Sequence, residues 1–322
     1  MLERFLEMEL NLIYAIDKNY NKQCVISIKS FLEHTKSKIN IHILHKDANS
    51  FSEYRDYICN EKNLASISVY EFNNTGLEFP RISGTHISEA TYYRLYLDLY
   101  LPNNINNLLY IDADVLCINF ADEAIKNIFL DMKKYKFSLA AKTDEIRGNP
   151  STKISWDEIQ MKNINYFNAG VLFINYQVWI NNKIFQQLRQ RQLEIKDYLY
   201  YWDQDILNSF FDGAYLEIEN KFNYRVGLDS GKQKYATTKN NSVFIHYQGS
   251  WKPWSVRGCF NENSRFYQDY YKKIGFGDYH IVNTWRINSI GHFIVGLLNL
   301  KLFRLNYPLK FINSFTKSLL SQ

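Results

Sequence analysis

Short apolar runs alternate with amphipathic stretches along most of the chain, and most of the runs break at a polar turn. Leu12 to Ile16 is a compact apolar run that stops at Asp17-Lys18-Asn19, the pattern of a strand followed by a turn. Asn21 can then cap a helix on which Val25, Ile28, Phe31 and Leu32 share one face. Ile39 to Leu44 reads as a strand, Tyr54 to Asn63 as a helix, and Ile67 to Phe72 as a strand again. Such alternation predicts βαβ units and a mainly parallel sheet.

Asn73 to Ser83, with Gly76 and Pro80, reads as a loop, and Ser88 and Glu89 open a helix running through Arg94 to Pro102. Leu108 to Cys117 is an apolar run broken only by Asp112 and Asp114, as in a buried strand that surfaces at its carboxyl end. A helix is predicted near Glu123 to Lys133, and a short strand over Ser138 to Ala141 leads to Asp144. Thr143 to Asn165 is a polar loop whose length marks it as functional or mobile, with closure over a ligand as the conjecture. Phe167 to Asn175 reads as a strand, followed by one long helix to about Lys196, a helix over Tyr201 to Phe211, and a last strand over Val243 to His246.

Side chains alternate along a strand, so Asp112 and Asp114 point the same way if the extended geometry persists through them. Paired hard oxygen ligands suit Mg2+ or Mn2+, and a diphosphate would complete the shell. The bare triplet also arises by chance, and a second occurs at Asp203-Gln-Asp205. Position adds weight: ligands of open α/β sheets sit beyond the carboxyl ends of the strands, where Asp17, Asp112 and His246 all stand.

With 322 residues, 46% of them apolar, the chain can bury a large core, which excludes a disordered protein. Its length suits one large α/β domain with an appendage, or two modest domains. The 16% aromatic content fits sugar-facing or membrane-facing surfaces, or a codon bias. The net charge of +5 is concentrated: from His280 onward Arg286, Lys301, Arg304, Lys310 and Lys317 meet no acidic residue. A neutral body excludes a nucleic-acid groove, and the basic tail points to an anionic surface. Cys24, Cys59, Cys117 and Cys259 form no Cys-x-x-Cys pair, as expected of free thiols in a reducing cytoplasm, with two secreted disulfides as the alternative. Glu3, Glu7 and Glu9 do not fit a signal peptide, and no apolar run nears the roughly 20 residues that span a bilayer.

Six motifs occur in order: Tyr14-Ala-Ile-Asp-Lys-Asn19, His86-Ile-Ser-Glu-Ala-Thr-Tyr-Tyr-Arg94-Leu, Tyr110-Ile-Asp-Ala-Asp114, Phe167-Asn-Ala-Gly-Val-Leu-Phe-Ile-Asn175, Trp202-Asp-Gln-Asp-Ile-Leu-Asn208 and His246-Tyr-Gln-Gly-Ser-Trp-Lys-Pro-Trp254. In these the chain resembles the retaining glycosyltransferases of family 8, which include lipopolysaccharide galactosyl- and glucosyltransferases. The resemblance implies an α/β fold: a single GT-A-type, Rossmann-like nucleotide-sugar-binding domain over residues 1–260, with a mixed, mainly parallel sheet. Residues 261–322 would form a small basic, aromatic helical tail.

The resemblance further implies that Asp112, Asp114 and His246 ligate Mn2+, with Mg2+ as the alternative. Ala15, Asp17 and Asn19 would meet the uracil and ribose, while Arg94, Asp112 and Ala113 would meet the donor sugar or diphosphate, and Gly249 and Lys252 the diphosphate. Asn168 would bond a ligand hydroxyl, Asp144 and Asp203 would hold the donor sugar, and Gln204 would lie near the anomeric carbon. For several of these a plain structural role stays open: a strand-end turn at Asp17 and Asn19, a local turn closed by Asn168, a loop carboxylate at Asp144. The implied activity is transfer of galactose or glucose from a UDP-sugar to a lipopolysaccharide- or lipooligosaccharide-type glycan or glycolipid acceptor, with retention. Alternatives are a sugar-1-phosphate nucleotidyltransferase, although Asp17-Lys-Asn-Tyr20 is not its Gly-rich loop, and a non-catalytic nucleotide-sugar or glycan binder. The tail mixes Trp285, Phe293, Phe303, Tyr307, Phe311 and Phe315 with its basic residues, and Ile290 to Leu305 is predicted as an amphipathic helix before Pro308. It either touches the anionic inner face of the cell membrane or packs on the body. The expected location is cytoplasmic.

Overall fold

A computed structural model describes residues 9–73, 79–80, 88–228, 233–283 and 286–320. Most of the loop expected over residues 73–83 lies outside the described residues, as do His86, Glu3, Glu7 and Trp285. The strands are β1 (Leu10–Ile16), β2 (Ile39–His45), β3 (Leu64–Glu71), β4 (Asn107–Ile111), β5 (Val115–Cys117), β6 (Leu139–Ile146), β7 (Asn165–Asn175), β8 (Leu216–Glu217), β9 (Tyr224–Arg225) and β10 (Phe244–His246). The α-helices are α1 (Asn21–Glu33), α2 (Asp122–Tyr135), α3 (Tyr176–Asn181), α4 (Ile184–Ile195), α5 (Asp203–Phe211), α6 (Tyr235–Asn241), α7 (Val256–Cys259), α8 (Ser264–Ile274), α9 (Arg286–Leu298) and α10 (Pro308–Leu320).

These elements divide between two units. The first, drawn from Met1–Val25, Thr35–Ala113 and Ala121–Asn220, carries a seven-stranded sheet in the order β3-β2-β1-β4-β7-β6-β8. β1 runs parallel to β2 and β4, β2 to β3, and β6 to β8, whereas β7 is antiparallel to β4 and β6. The sheet is therefore mixed and mainly parallel, with the Rossmann-like strand order 3-2-1-4 on one side. Its inner strands are near-continuous apolar runs because both faces are covered: Leu12, Ile13 and Tyr14 of β1 and Leu108, Leu109 and Tyr110 of β4 are fully buried.

Several helical expectations shift. The segment from Ser88 is a 3-10 helix, Glu89–Leu99, capped by the Ser88 hydroxyl on the Ala90 N–H and broken at Tyr96. Apolar spacing cannot separate the two helix types, since both return a side chain to the same face after three residues. The helix expected over Tyr54 to Asn63 is a 3-10 helix at Ala48–Tyr57, started by an Asp47 cap that accepts from the Ser50 N–H. Asn21 spends its side chain on His45 and Ser50 instead of capping α1. The long helix expected to Lys196 is two, α3 and α4, because Lys183 sits at φ 53° and breaks the run. β6 extends to Ile146, so Thr143 and Asp144 belong to a strand and the loop is 147–164. That loop is anchored: Ile154, Trp156, Ile159 and Met161 are buried in the main core, and Asp212 accepts from the Lys162 and Asn163 N–H groups at 2.9 and 2.7 Å.

The second unit, from Ile26–His34, Asp114–Phe120 and Lys221–Gln322, holds a small sheet in which β10 is antiparallel to β5 and parallel to β9. Its core gathers Val256, Cys259, Ile281, Leu302, Phe311 and Phe315. The tail helix starts earlier than expected and stops at Leu298; a 3-10 turn, Lys301–Arg304, follows, and Pro308 opens α10, where a missing N–H costs nothing. All four cysteines are free. Among the described residues no helix is long and apolar enough to cross a membrane.

Candidate active site

β4 delivers Asp112 immediately beyond its last residue, and the Asp112 N–H extends the ladder by bonding the Gly170 carbonyl at 2.9 Å. The carboxylate Oδ1 accepts from Tyr110 Oη and from Arg94 Nη2, both at 2.9 Å. Arg94 comes from the 3-10 helix and is only 6% exposed. Its Cζ stacks 4.0 Å above the Tyr110 ring, its Nη1 donates to the Ala169 carbonyl, and its Nε lies 2.9 Å from Asp203 Oδ2. One guanidinium thus hydrogen-bonds Asp112 through Nη2 and pairs by charge with Asp203, while its Nε donates to the Thr91 carbonyl at 3.2 Å. Burial opposes its charge, but Asp112 and then Asp203 more than reverse that, so its pKa is raised.

Asp203 opens α5 and is 2% exposed. Burial pushes its carboxyl up to about 6, against the pull of Arg94 and of the Thr91 hydroxyl that bonds it. The residue before it, Trp202, has φ 54° and ψ −122°, a backbone region costly for a bulky side chain. Next in the chain, Gln204 Oε1 accepts from the Ala169 N–H at 2.9 Å. Asp205 is structural: it accepts from Tyr166 Oη at 2.6 Å and from the Tyr201 N–H at 2.7 Å. The second Asp-x-Asp therefore opens a helix and divides its carboxylates between an arginine and a tyrosine.

The second unit holds the other half of the expected residues. Asp114, at 9% exposure, receives Lys252 Nζ on Oδ2 at 2.6 Å, and the same ammonium donates to the Tyr247 carbonyl at 2.7 Å. Burial, the largest single influence, would raise the Asp114 carboxyl; Lys252 and His246 together outweigh it, and the pKa lies below the ordinary range. His246, the last residue of β10, is buried, and its Nδ1 faces Asn223 Oδ1 at 2.9 Å. Nδ1 also lies 3.3 Å from Gln248 Nε2, the longer of its two contacts; with the proton on Nδ1 toward Asn223, Nε2 carries the lone pair. Nε2 lies 3.3 Å from Asp114 Oδ1, a buried oxygen without a hydrogen-bond partner. An imidazole lone pair facing an orphaned carboxylate oxygen, with the other ring nitrogen tied to an amide, fits a divalent cation.

The remaining expected residues divide. Ala15 and Asp17 stand at the carboxyl end of β1, where Asp17 accepts from the Asn19 N–H at 2.8 Å and closes the turn. Asn168 closes a local turn on the Gly170 N–H at 2.9 Å. Gly249 has φ 89°, which favours glycine. Ala113 is buried at the point where the chain leaves the first unit. Asp144 lies in β6, half-buried, with its charge felt at Tyr201, and it is not brought into the Arg94 network. Thr91, Tyr110 and Asn223 carry site contacts that the sequence reading assigned to no one. Thr91 and Tyr110 sit inside the quoted motifs, whereas nothing in the sequence marks Asn223.

The chain is 30% identical over 262 residues to a lipopolysaccharide 1,2-glucosyltransferase of Escherichia coli, covering 76% of this chain and 73% of that one. It is 26% identical over 268 residues to a lipopolysaccharide 1,3-galactosyltransferase of Salmonella typhimurium, covering 81% and 77%. The crystal structure of the galactosyltransferase LgtC with donor and acceptor sugar analogs superposes with a TM-score of 0.66 at 24% identity, over 83% of this chain and 96% of that one, and shares its fold. The family model for glycosyl transferase family 8 matches residues 11–257, and the chain belongs to that family.

Proposed function

We propose that this glycosyltransferase moves galactose or glucose from a UDP-sugar to a lipopolysaccharide-type glycan, with retention, and that Mn2+ is held by Asp112, Asp114 and His246, with Mg2+ as the alternative. The observation that carries the metal is the orphaned Asp114 oxygen opposite the His246 lone pair. Asp112, separated from Asp114 by one residue in the chain, adds a second carboxylate to the proposed donor set of two oxygens and an imidazole. When bound, the cation supplies Lewis-acid stabilisation of the leaving diphosphate.

The chain's own residues do the rest. Arg94, kept charged by its two carboxylates, fixes the orientation of Asp112 and Asp203. Asp203 accepts from donor-sugar hydroxyls, and Gln204, pinned by the Ala169 N–H, stands at the face where the acceptor attacks. The reaction follows a front-face route in which the leaving phosphate takes the acceptor proton, so none of these residues is assigned the role of base. Ala15, Asp17 and Asn19 serve the uracil and ribose, Asn168 and Asp144 the sugar, and Gly249 and Lys252 the diphosphate. The lipopolysaccharide transferases among the relatives support the acceptor class, and the exposed basic and apolar residues of the tail support peripheral contact with the inner face of the membrane.

Isothermal titration of UDP with Mn2+, Mg2+ or EDTA, on wild type and Asp114→Ala, tests this reading. Expected is metal-dependent binding that the substitution abolishes. Equal binding in EDTA would remove the metal, and no binding at all would remove the donor.

A further inference from the structure

Lys252 is placed to serve a diphosphate, yet its ammonium is already engaged on Asp114 Oδ2 at 2.6 Å and held there by the Tyr247 carbonyl at 2.7 Å. A carboxylate this buried needs a counter-charge in every state of the protein. Its second oxygen, Oδ1, faces the His246 lone pair without a hydrogen bond. A divalent ion entering at Oδ1 and His246 Nε2 therefore meets a cation on the other oxygen of the same carboxylate. Those two charges repel at short range, in a setting where water screens them poorly.

We infer that Lys252 is an electrostatic placeholder: it neutralises Asp114 while the metal is absent, weakens metal binding to the free enzyme, and leaves Asp114 only when a diphosphate arrives to take its ammonium. This rests on the proposed metal site and goes beyond it, because it assigns the lysine two successive partners. Metal and nucleotide then bind with positive coupling. By linkage, whatever factor UDP adds to metal affinity, the metal adds to UDP affinity, and such factors run from roughly 5- to 150-fold. The enzyme would hold its metal firmly only with a donor present.

The test is Mn2+ binding followed by the free-ion EPR signal, with and without UDP, on wild type, Lys252→Met and Lys252→Arg, with thermal unfolding as the check on folding. Removing the charge should tighten Mn2+ binding without UDP by about 5-fold or more, and the gain in Mn2+ affinity on adding UDP should largely vanish. Lys252→Arg, which keeps the charge, should stay near wild type. Wild type that binds Mn2+ with UDP, beside a folded Lys252→Met that binds Mn2+ no tighter without it, would overturn the placeholder role alone. No Mn2+ binding by any variant, even with UDP, would overturn the metal site and this inference together. If Lys252→Met unfolds, Lys252→Gln, which keeps a donor for the Tyr247 carbonyl, is read in the same way.

Discussion

Arg94 has its two anionic partners on different elements, Asp112 past the end of β4 and Asp203 at the start of α5. Removing one member of a buried ion network leaves the others uncompensated, at a cost of about 3–5 kcal/mol. Arg94→Met should lower the unfolding free energy from urea melts by that order and weaken donor binding as well. Arg94→Lys should recover part of the stability, since a point charge cannot occupy both positions of the fork. Wild-type stability in Arg94→Met would show that the network carries no such weight. His42 offers a separate test by pH. It is buried between Tyr70 Oη and Asn11 Oδ1, and burial pushes its pKa from 6.5 down to about 4. The unfolded chain then binds the proton more readily than the folded one between those values. Stability from this residue is complete above pH 6.5 and falls as the pH drops toward 4, by up to about 3 kcal/mol. His42→Gln should flatten that limb in urea melts taken across the range.

At the scale of elements, the strands that position the site were legible because their signal is local. Leu12 to Ile16 and Leu108 to Ile111 are apolar runs that end at a carboxylate, and Ile39 to Leu44 and Phe167 to Asn175 are largely apolar; each lies in a strand. The carboxylates that follow the first two, Asp17 and Asp112, were legible for the same reason. Features that depend on partners distant in sequence were not: the depth at which Arg94 lies, the Asn223 amide behind His246, and the positive φ of Trp202 and Lys183. The anchoring of the loop over 147–164 was not legible because its few apolar residues have no periodicity, although Ile154, Trp156, Ile159 and Met161 meet the core. Trp156 is its largest anchor, with Arg147 stacked 5.5 Å from its ring. Trp156→Ala should cost about 3–5 kcal/mol and open the loop to proteases. Cleavage within 147–164 in the variant, and not in wild type, is the expected result of limited proteolysis. Equal resistance would mean that the loop is held by its hydrogen bonds alone.

For the whole molecule, the open issue is what the tail faces. α10 turns Phe311 and Phe315 into the core of the second unit, with Leu302 from the preceding turn. A truncation would strip that core, so loss of function in a shortened chain would say nothing about membranes. The opposite surface is unusual: Ile287, Leu298, Phe303 and Leu309 are 86%, 76%, 71% and 80% exposed. Lys301, Arg304 and Lys317 are exposed in the same stretch of chain, while Lys310 is paired with Asp278, whose charge Lys317 also feels. Apolar side chains at this exposure, in a stretch that carries exposed cations, motivate a test against an anionic bilayer surface, where each basic residue contributes about 1 kcal/mol. Full-length protein should therefore pellet with vesicles containing phosphatidylglycerol and not with pure phosphatidylcholine, and the binding should weaken with salt. Substituting Lys301→Gln with Arg304→Gln should lower partitioning by roughly thirtyfold. Leu300→Ser with Phe303→Ser should lower it without changing its salt dependence. Both pairs leave the buried core intact, so unfolding cannot mimic the effect. Equal pelleting of all variants with both vesicle types would assign these exposed residues to something other than a charged membrane.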